Sequence, residues 1–365
     1  MVASLIVNIK ATILVLAIVG IAGAIFYLES GKVQPQDRGK NGAAETKLNI
    51  MNKEEKSKLY EPAHEIISSN GFINTDAVTV GEHIGKNVVL IDFWTYSCIN
   101  CQRTLPYLKA WHDKYKDKGL VIIGVHTPEF EFEKEYANVK SAVEKFGVNY
   151  PVVLDNDYST WHAYNNRYWP RKYLIDIDGY IVYDHIGEGG YDETEKKIQE
   201  LLEERMKVLG MAGDIDKEIS KPLDAEDISN AFPYSPEIYF GASRNTYLGN
   251  GPSNTEGEID LKEPEGVKTN ILYLGGRWNM TSEYAQNNTS NAKIIFRYQA
   301  QKVFFVASSE NGAQIQVLQD GRPIKTLQVK EDGLYRLIED AEWGEHTLEI
   351  IINSPGLKAF TFTFG

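Results

Sequence analysis

The chain has two cysteines among its 365 residues, three positions apart, in Cys98-Ile99-Asn100-Cys101. A pair at this spacing is suited to dithiol–disulfide exchange. The first thiolate attacks a disulfide, and the second thiol, one helical turn further on, attacks the mixed disulfide and releases the product. Two cysteines cannot knit a disulfide scaffold or complete a four-cysteine zinc centre, and no further ligands stand at metal-binding spacing. We therefore expect no metal and no cofactor beyond a redox-active Cys98–Cys101 disulfide.

That chemistry needs a particular position in a fold. Val88-Val89-Leu90-Ile91-Asp92-Phe93-Trp94 is an apolar run with one charge inside it, the pattern of a buried strand. Beyond the cysteines, Leu105, Leu108 and Trp111 recur at helical spacing, so the pair stands where a strand hands over to a helix. A thiol there faces free backbone N–H groups and the positive end of the helix dipole, which favour the thiolate. Cys98 is thus the expected nucleophile, and Cys101, one turn inside, the resolving thiol. Asp92 lies on the strand beneath the helix, where a buried carboxylate holds its proton tightly and can take one from the second thiol. The alternative for Asp92 is a water-lined strand end. Trp94 and Tyr96 flank the pair and suit either a substrate groove or half-buried packing.

The surrounding pattern continues with strands at Leu120–Val125 and Pro151–Leu154 and a helix from Lys134 to Phe146. A hairpin follows, Tyr173–Asp176 with Tyr180–Tyr183, and a closing helix from about Glu193 to Leu209. This order predicts a mixed sheet with helices on both faces. Trp169-Pro170 comes just before an apolar strand, where proline would cost a ladder hydrogen bond. His126 and Glu129, after the second strand, suit either a proton relay or ordinary loop bonding.

Four segments resemble the thioredoxin-fold proteins, more narrowly the TlpA-like and DipZ-type thiol–disulfide oxidoreductases. They are Asp92 to Cys101, Gly124-Val125-His126-Thr127-Pro128-Glu129-Phe130, Asn166-Arg167-Tyr168-Trp169-Pro170 and Gly187-Glu188-Gly189-Gly190-Tyr191. The resemblance implies an α/β thioredoxin fold over residues 59–209, the proton-managing role for Asp92, and a cis-proline loop at Trp169-Pro170 that docks an extended substrate. Relatives of this kind mostly reduce disulfides. DipZ-type proteins carry a multi-span electron-transfer domain ahead of the redox domain, whereas one apolar stretch is expected here, so electrons would come from a separate membrane donor of the CcdA type.

Past a linker, 210–232, helical periodicity stops. Short strands separated by Gly, Asn, Asp or Ser fill 233–365 and predict an all-β sandwich, jelly-roll-like in form. The DipZ-type resemblance extends to a carbohydrate-binding-like module here. Trp278, Tyr284, Tyr239, Tyr247 and Tyr273 are the candidates for stacking on a glycan, with core filling as the alternative. At the other end, Ala11 to Leu28 is uncharged, long enough for a single N-terminal transmembrane helix ending a 1–28 anchor, with 29–58 as a flexible tether. A cleaved signal peptide is the rival reading.

With 38 Lys and Arg against 51 Asp and Glu, the net charge is −13, which speaks against nucleic acid as a partner. The expectation is a membrane-anchored disulfide reductase whose soluble body faces an extracytoplasmic space, where protein disulfides persist. The competing readings are a disulfide oxidase or isomerase, a glycan-binding or docking surface protein with an auxiliary redox domain, and a thiol peroxidase.

Overall fold

The computed structural model describes residues 51–67, 70–226 and 234–365. The expected anchor and all but the last residues of the expected tether lie outside them. No helix of the described residues is long and apolar enough to cross a membrane.

The tether's expected end is in fact a helix, α1 (Lys53–Leu59), started by a reciprocal capping box between Asn52 and Glu55. Lys56 explains why it is held. Its side chain is 3% exposed, and its Nζ pairs with Asp176 at 2.7 Å, Asp178 at 2.6 Å and Glu204. These three carboxylates are the one group among the described residues with metal-like convergence, and the lysine ammonium already fills its centre.

The first region builds a six-stranded sheet in the order β1-β4-β3-β2-β5-β6. Its strands are β1 (Phe72–Ile73), β2 (Val88–Trp94), β3 (Leu120–His126), β4 (Val152–Leu154), β5 (Arg171–Ile175) and β6 (Ile181–Ile186). β2 is central, parallel to β3 and antiparallel to β5. All seven of its residues are buried, and alternate ones serve opposite faces. Val88, Leu90 and Trp94 join α2 (Ile99–Tyr115), α3 (Tyr136–Phe146) and α5 (Tyr191–Val208) in one core; Val89, Ile91 and Phe93 join Trp161 of α4 (Ser159–Ala163) in the other.

The second region holds nine strands, from β7 (Ile238–Tyr239) through β8 (Gly257–Leu261), β9 (Leu272–Met280), β10 (Ala285–Asn287), β11 (Ala292–Ser308), β12 (Ala313–Gln319), β13 (Arg322–Val329) and β14 (Gly333–Ile352) to β15 (Lys358–Phe364). Where two separate sheets are expected, the strands form one antiparallel network that closes on itself, from β11 to β9, β10, β15 and back to β11. β11 and β14 are long strands where the sequence suggests two short ones each, Lys293–Tyr298 with Lys302–Ala307 and Leu334–Ile338 with His346–Asn353. Irregularities between Ala300 and Lys302 and between Val303 and Phe304 bend the ladder without ending it. Phe240, Trp278, Phe296, Tyr298, Phe305 and Phe362 fill the enclosed core.

The expected linker is not a free strand. Over 211–226 it lies on the first region, with Ile215 buried and Ser220 donating from both its N–H and its hydroxyl to Glu195.

Candidate active site

Cys98 is the N-cap of α2, with extended backbone, and its Sγ accepts the Cys101 backbone N–H at 3.4 Å. A sulfur in that position takes up one of the donors a helix start leaves unpaired, and a thiolate does so better than a thiol. Cys98 is half-buried, Cys101 is 1% exposed, and both are free thiols. Burial, and then the neighbouring Cys98 sulfur, push the Cys101 thiol well above the ordinary range. Cys101 therefore holds its proton tightly.

A buried carboxylate lies near it. Asp92 is fully buried in β2, and its Oδ1 has no hydrogen-bond partner among the described residues. Burial pushes its carboxyl up to about 7, while the Lys172 ammonium pulls the other way. Lys172 sits directly across the antiparallel β2–β5 ladder from Asp92, and Gly124 faces Asp92 on the β3 side. Lys172 is wholly buried, and its Nζ donates to the Gly187 carbonyl at 3.1 Å. Burial lowers its affinity for a proton, and Asp92 restores part of it. The absent side chain at Gly124 matters too, since a Cβ there would come within 3.0 Å of the Trp94 indole nitrogen and 3.2 Å of the Tyr150 ring.

The turn before the cysteines is pinned from behind. Glu133, fully buried, accepts the Ser97 N–H at 3.2 Å and its hydroxyl at 2.6 Å through one oxygen; the other accepts the Glu129 and Phe130 N–H groups at 2.6 and 3.1 Å. His126 accepts the Tyr96 N–H at 3.3 Å and stacks on the Tyr96 ring at 5.7 Å. Burial lowers His126 to about 3, so it is neutral near pH 7 and is no relay there. Glu129 is engaged by Arg244 at 2.7 Å and the Tyr239 hydroxyl at 3.0 Å. For this pair, the ordinary bonding reading is the one the geometry takes.

Of the expected substrate-contacting residues, Trp94 is misplaced. As the last residue of a central strand it points into the core, is fully buried, and packs edge-on to His126 at 5.2 Å. Tyr96 is 6% exposed, and its hydroxyl reaches the Asp332 carbonyl at 3.5 Å. Trp169 is half-buried against Trp161 at 4.3 Å, and its indole N–H donates to the Thr127 carbonyl. The Trp169–Pro170 peptide is cis. The Pro170 carbonyl accepts the Gly187 N–H at 2.8 Å.

The second region abuts this same face. Phe360 packs on Phe130 and Phe132 at 5.0 and 4.9 Å, and Arg103 of α2 lies 5.1 Å over Phe304. Glu226 ties the two regions together through Arg336, Lys302 at 3.0 Å and Arg103 at 3.5 Å. Partial burial opposes its ionisation, but the Arg336 and Lys302 bonds hold it at about 2. None of the five aromatics expected to stack on sugars is exposed. Trp278 and Tyr273 are buried, Tyr247 packs on the core, and Tyr239 and Tyr284 pack beside Phe130 and Phe360.

Two protein families match the chain, at separate stretches. Residues 74–202 match the redoxin family and 235–365 the family described as thioredoxin like C-terminal domain. Protein DipZ of Mycobacterium bovis is 36% identical over 282 residues, 76% of this chain and 39% of that protein, so the chain spans well under half of this relative's length. The thiol-disulfide oxidoreductase ResA of Halalkalibacterium halodurans is 31% identical over 128 residues, 35% of this chain and 67% of that one. YkuV of Bacillus subtilis, also a thiol-disulfide oxidoreductase, is 29% identical over 40% of this chain and 98% of its own. A solved thioredoxin-like protein in its oxidised form is 29% identical with a TM-score of 0.38, covering 40% of this chain and 98% of that one.

Proposed function

The chain belongs to the thioredoxin-fold thiol–disulfide oxidoreductases, and from that premise we propose that it is a membrane-anchored, extracytoplasmic protein disulfide reductase working through Cys98 and Cys101. The supporting observation is the vertical arrangement of a half-buried sulfur at a helix N-cap, a buried thiol one turn in, and a buried Asp92 beneath with an oxygen left unpaired.

In the proposed cycle the Cys98 thiolate attacks a protein disulfide, forming a mixed disulfide and expelling one substrate thiolate, which is protonated by solvent. Asp92 takes the Cys101 proton, and the Cys101 thiolate attacks the Cys98 sulfur. The second substrate thiolate leaves, and two electrons have passed from the enzyme to the substrate. Asp92, poised near neutral pH, is present in both its basic and its acidic form, as a group that both takes and returns a proton requires. Lys172 offsets the negative charge that develops on Asp92 and Cys101. A separate membrane donor of the CcdA type would return the two electrons, and the anchor in residues 1–28 would hold the body beside it.

Cys101→Ser tests this most simply. It should abolish turnover of protein disulfides and accumulate mixed disulfides on Cys98, whereas Cys98→Ser should accumulate none. A redox potential as oxidising as the about −120 mV of strong oxidants would overturn the reductase direction.

A further inference from the structure

The two regions leave a cleft of about 740 Å³ between them, beginning at the redox turn. That volume lies within the range of about 300–1,000 Å³ typical of binding clefts. One wall is Tyr96, Gln102 and the exposed side of α3; the other is Lys325, Leu327, the turn Lys330 to Asp332 and the start of β14 as far as Arg336. Gln102 stands one turn after Cys98 on α2, and its side-chain N–H donates to the Tyr96 carbonyl at 2.8 Å, so the near end of the cleft is formed by residues two before and four after Cys98 in the chain. The far wall is fastened by Glu226 to Arg336 and Lys302, by Glu129 to Arg244, and by Phe360 packed on Phe130.

Its lining is amphipathic and locally reversed in charge. Ala142, Phe146, Leu327 and Leu334 supply apolar surface. Lys145, Lys325, Lys330 and Arg336 outnumber Glu331 and Asp332, in a chain whose net charge is −13. Arg336 is paired with Glu226 and Glu339, but among the described residues no carboxylate forms an ion pair with Lys145, Lys325 or Lys330. Lys325 donates to the Arg336 carbonyl at 2.8 Å and Lys145 lies 5.9 Å from the Phe146 ring centroid, so their charges are held but not neutralised. Cations without a carboxylate over an apolar floor favour an extended chain carrying carboxylates, whose backbone and stems lie on the floor.

We propose that this cleft docks an acidic, extended segment next to the disulfide of a protein substrate, so that the second region supplies half of substrate recognition. The proposal rests on the reading of Cys98 as the nucleophile.

The test uses the full chain and three substrates: bis(2-hydroxyethyl) disulfide, and two peptide disulfides identical except for Asp/Glu or Lys/Arg residues flanking the cysteine. Each peptide rate is taken relative to that protein's own rate on the small disulfide. The native chain should favour the acidic peptide in kcat/KM by about tenfold at low salt, with the preference shrinking toward unity at about 1 M salt. K145E/K330E should abolish or invert it. An equal rate for both peptides, or a preference that survives K145E/K330E, overturns the subsite. Failure of the native chain to reduce even the small disulfide would instead overturn the nucleophile reading, and the subsite with it.

Discussion

Two lysines are buried in the redox region, and their surroundings differ in kind. Lys56 sits among three carboxylates, and although burial works against its charge, the bonds to Asp176, Asp178 and Glu204 raise its proton affinity. Lys172, as deeply buried, forms no ion pair among the described residues: its ammonium donates to the Gly187 carbonyl and feels Asp92, Cys101 and Glu188 without bonding to them, so burial wins and lowers its proton affinity. A charge with its full set of partners is a fastener. A charge without an ion pair, near a carboxylate whose Oδ1 has no partner among the described residues, is where a proton can move. The first lysine should therefore matter to stability and the second to the pH dependence of exchange.

Lys56→Met should break the comparison most visibly if it is wrong. Three carboxylates would be left crowded without their cation, at a cost of about 3 kcal/mol in denaturant unfolding. Turnover under native conditions should hardly change. A loss below about 0.5 kcal/mol would mean that the cluster is not a fastener.

Lys172→Met should do the reverse. Removing the ammonium takes away the influence that holds Asp92 down, so the rise of the resolving step with pH should move about one unit higher, about a tenfold loss of rate below the inflection. Unfolding free energy should change little, because the lysine's burial is itself costly. Equal destabilisation by both substitutions would erase the distinction drawn here.

The smallest effect concerns Asp92 and stability. Its folded carboxyl titrates at about 7, above the ordinary unfolded value near 3.9, so the folded state binds the extra proton. Its contribution is present in full below about pH 4 and is lost as pH rises through about 7. Asp92→Asn should therefore flatten the stability profile and be more stable than the native chain at pH 8 by about 1 kcal/mol, with no such gain at pH 4. Parallel profiles from pH 4 to 8 would contradict this.

The sequence made the site's frame legible because the frame is local. The apolar run Val88–Trp94 is the strand to the residue, and the helix begins at the cysteines. Lys172 was not legible in the same way, since its role depends on which residue of β5 faces Asp92, a register no local pattern states. Trp94 misled through proximity: it precedes Cys98 by four residues, but it ends a strand covered on both faces, so its side chain is buried. Glu133 carried no local signal: alternation through Glu131, Phe132 and Glu133 would turn it outward with the exposed Glu131, whereas 131–134 is a 3-10 turn that buries it under four backbone and hydroxyl donors. In the second region, polar stretches such as Gln299 to Lys302 and Glu339 to Glu345 look like turns. They are strand interior, because a ladder exposed on one side accepts polar residues mid-strand.

The most direct test loads Cys98 with a chromogenic thiol as a mixed disulfide and follows its release by Cys101 in stopped flow from pH 5 to 9. In the native chain the release rate should rise with an inflection near pH 7; Asp92→Asn should lose that inflection and run about a hundredfold slower at neutral pH. Superimposable profiles for the two proteins would contradict the assignment of Asp92 as the base for Cys101, and with it the account of how this pair completes the exchange.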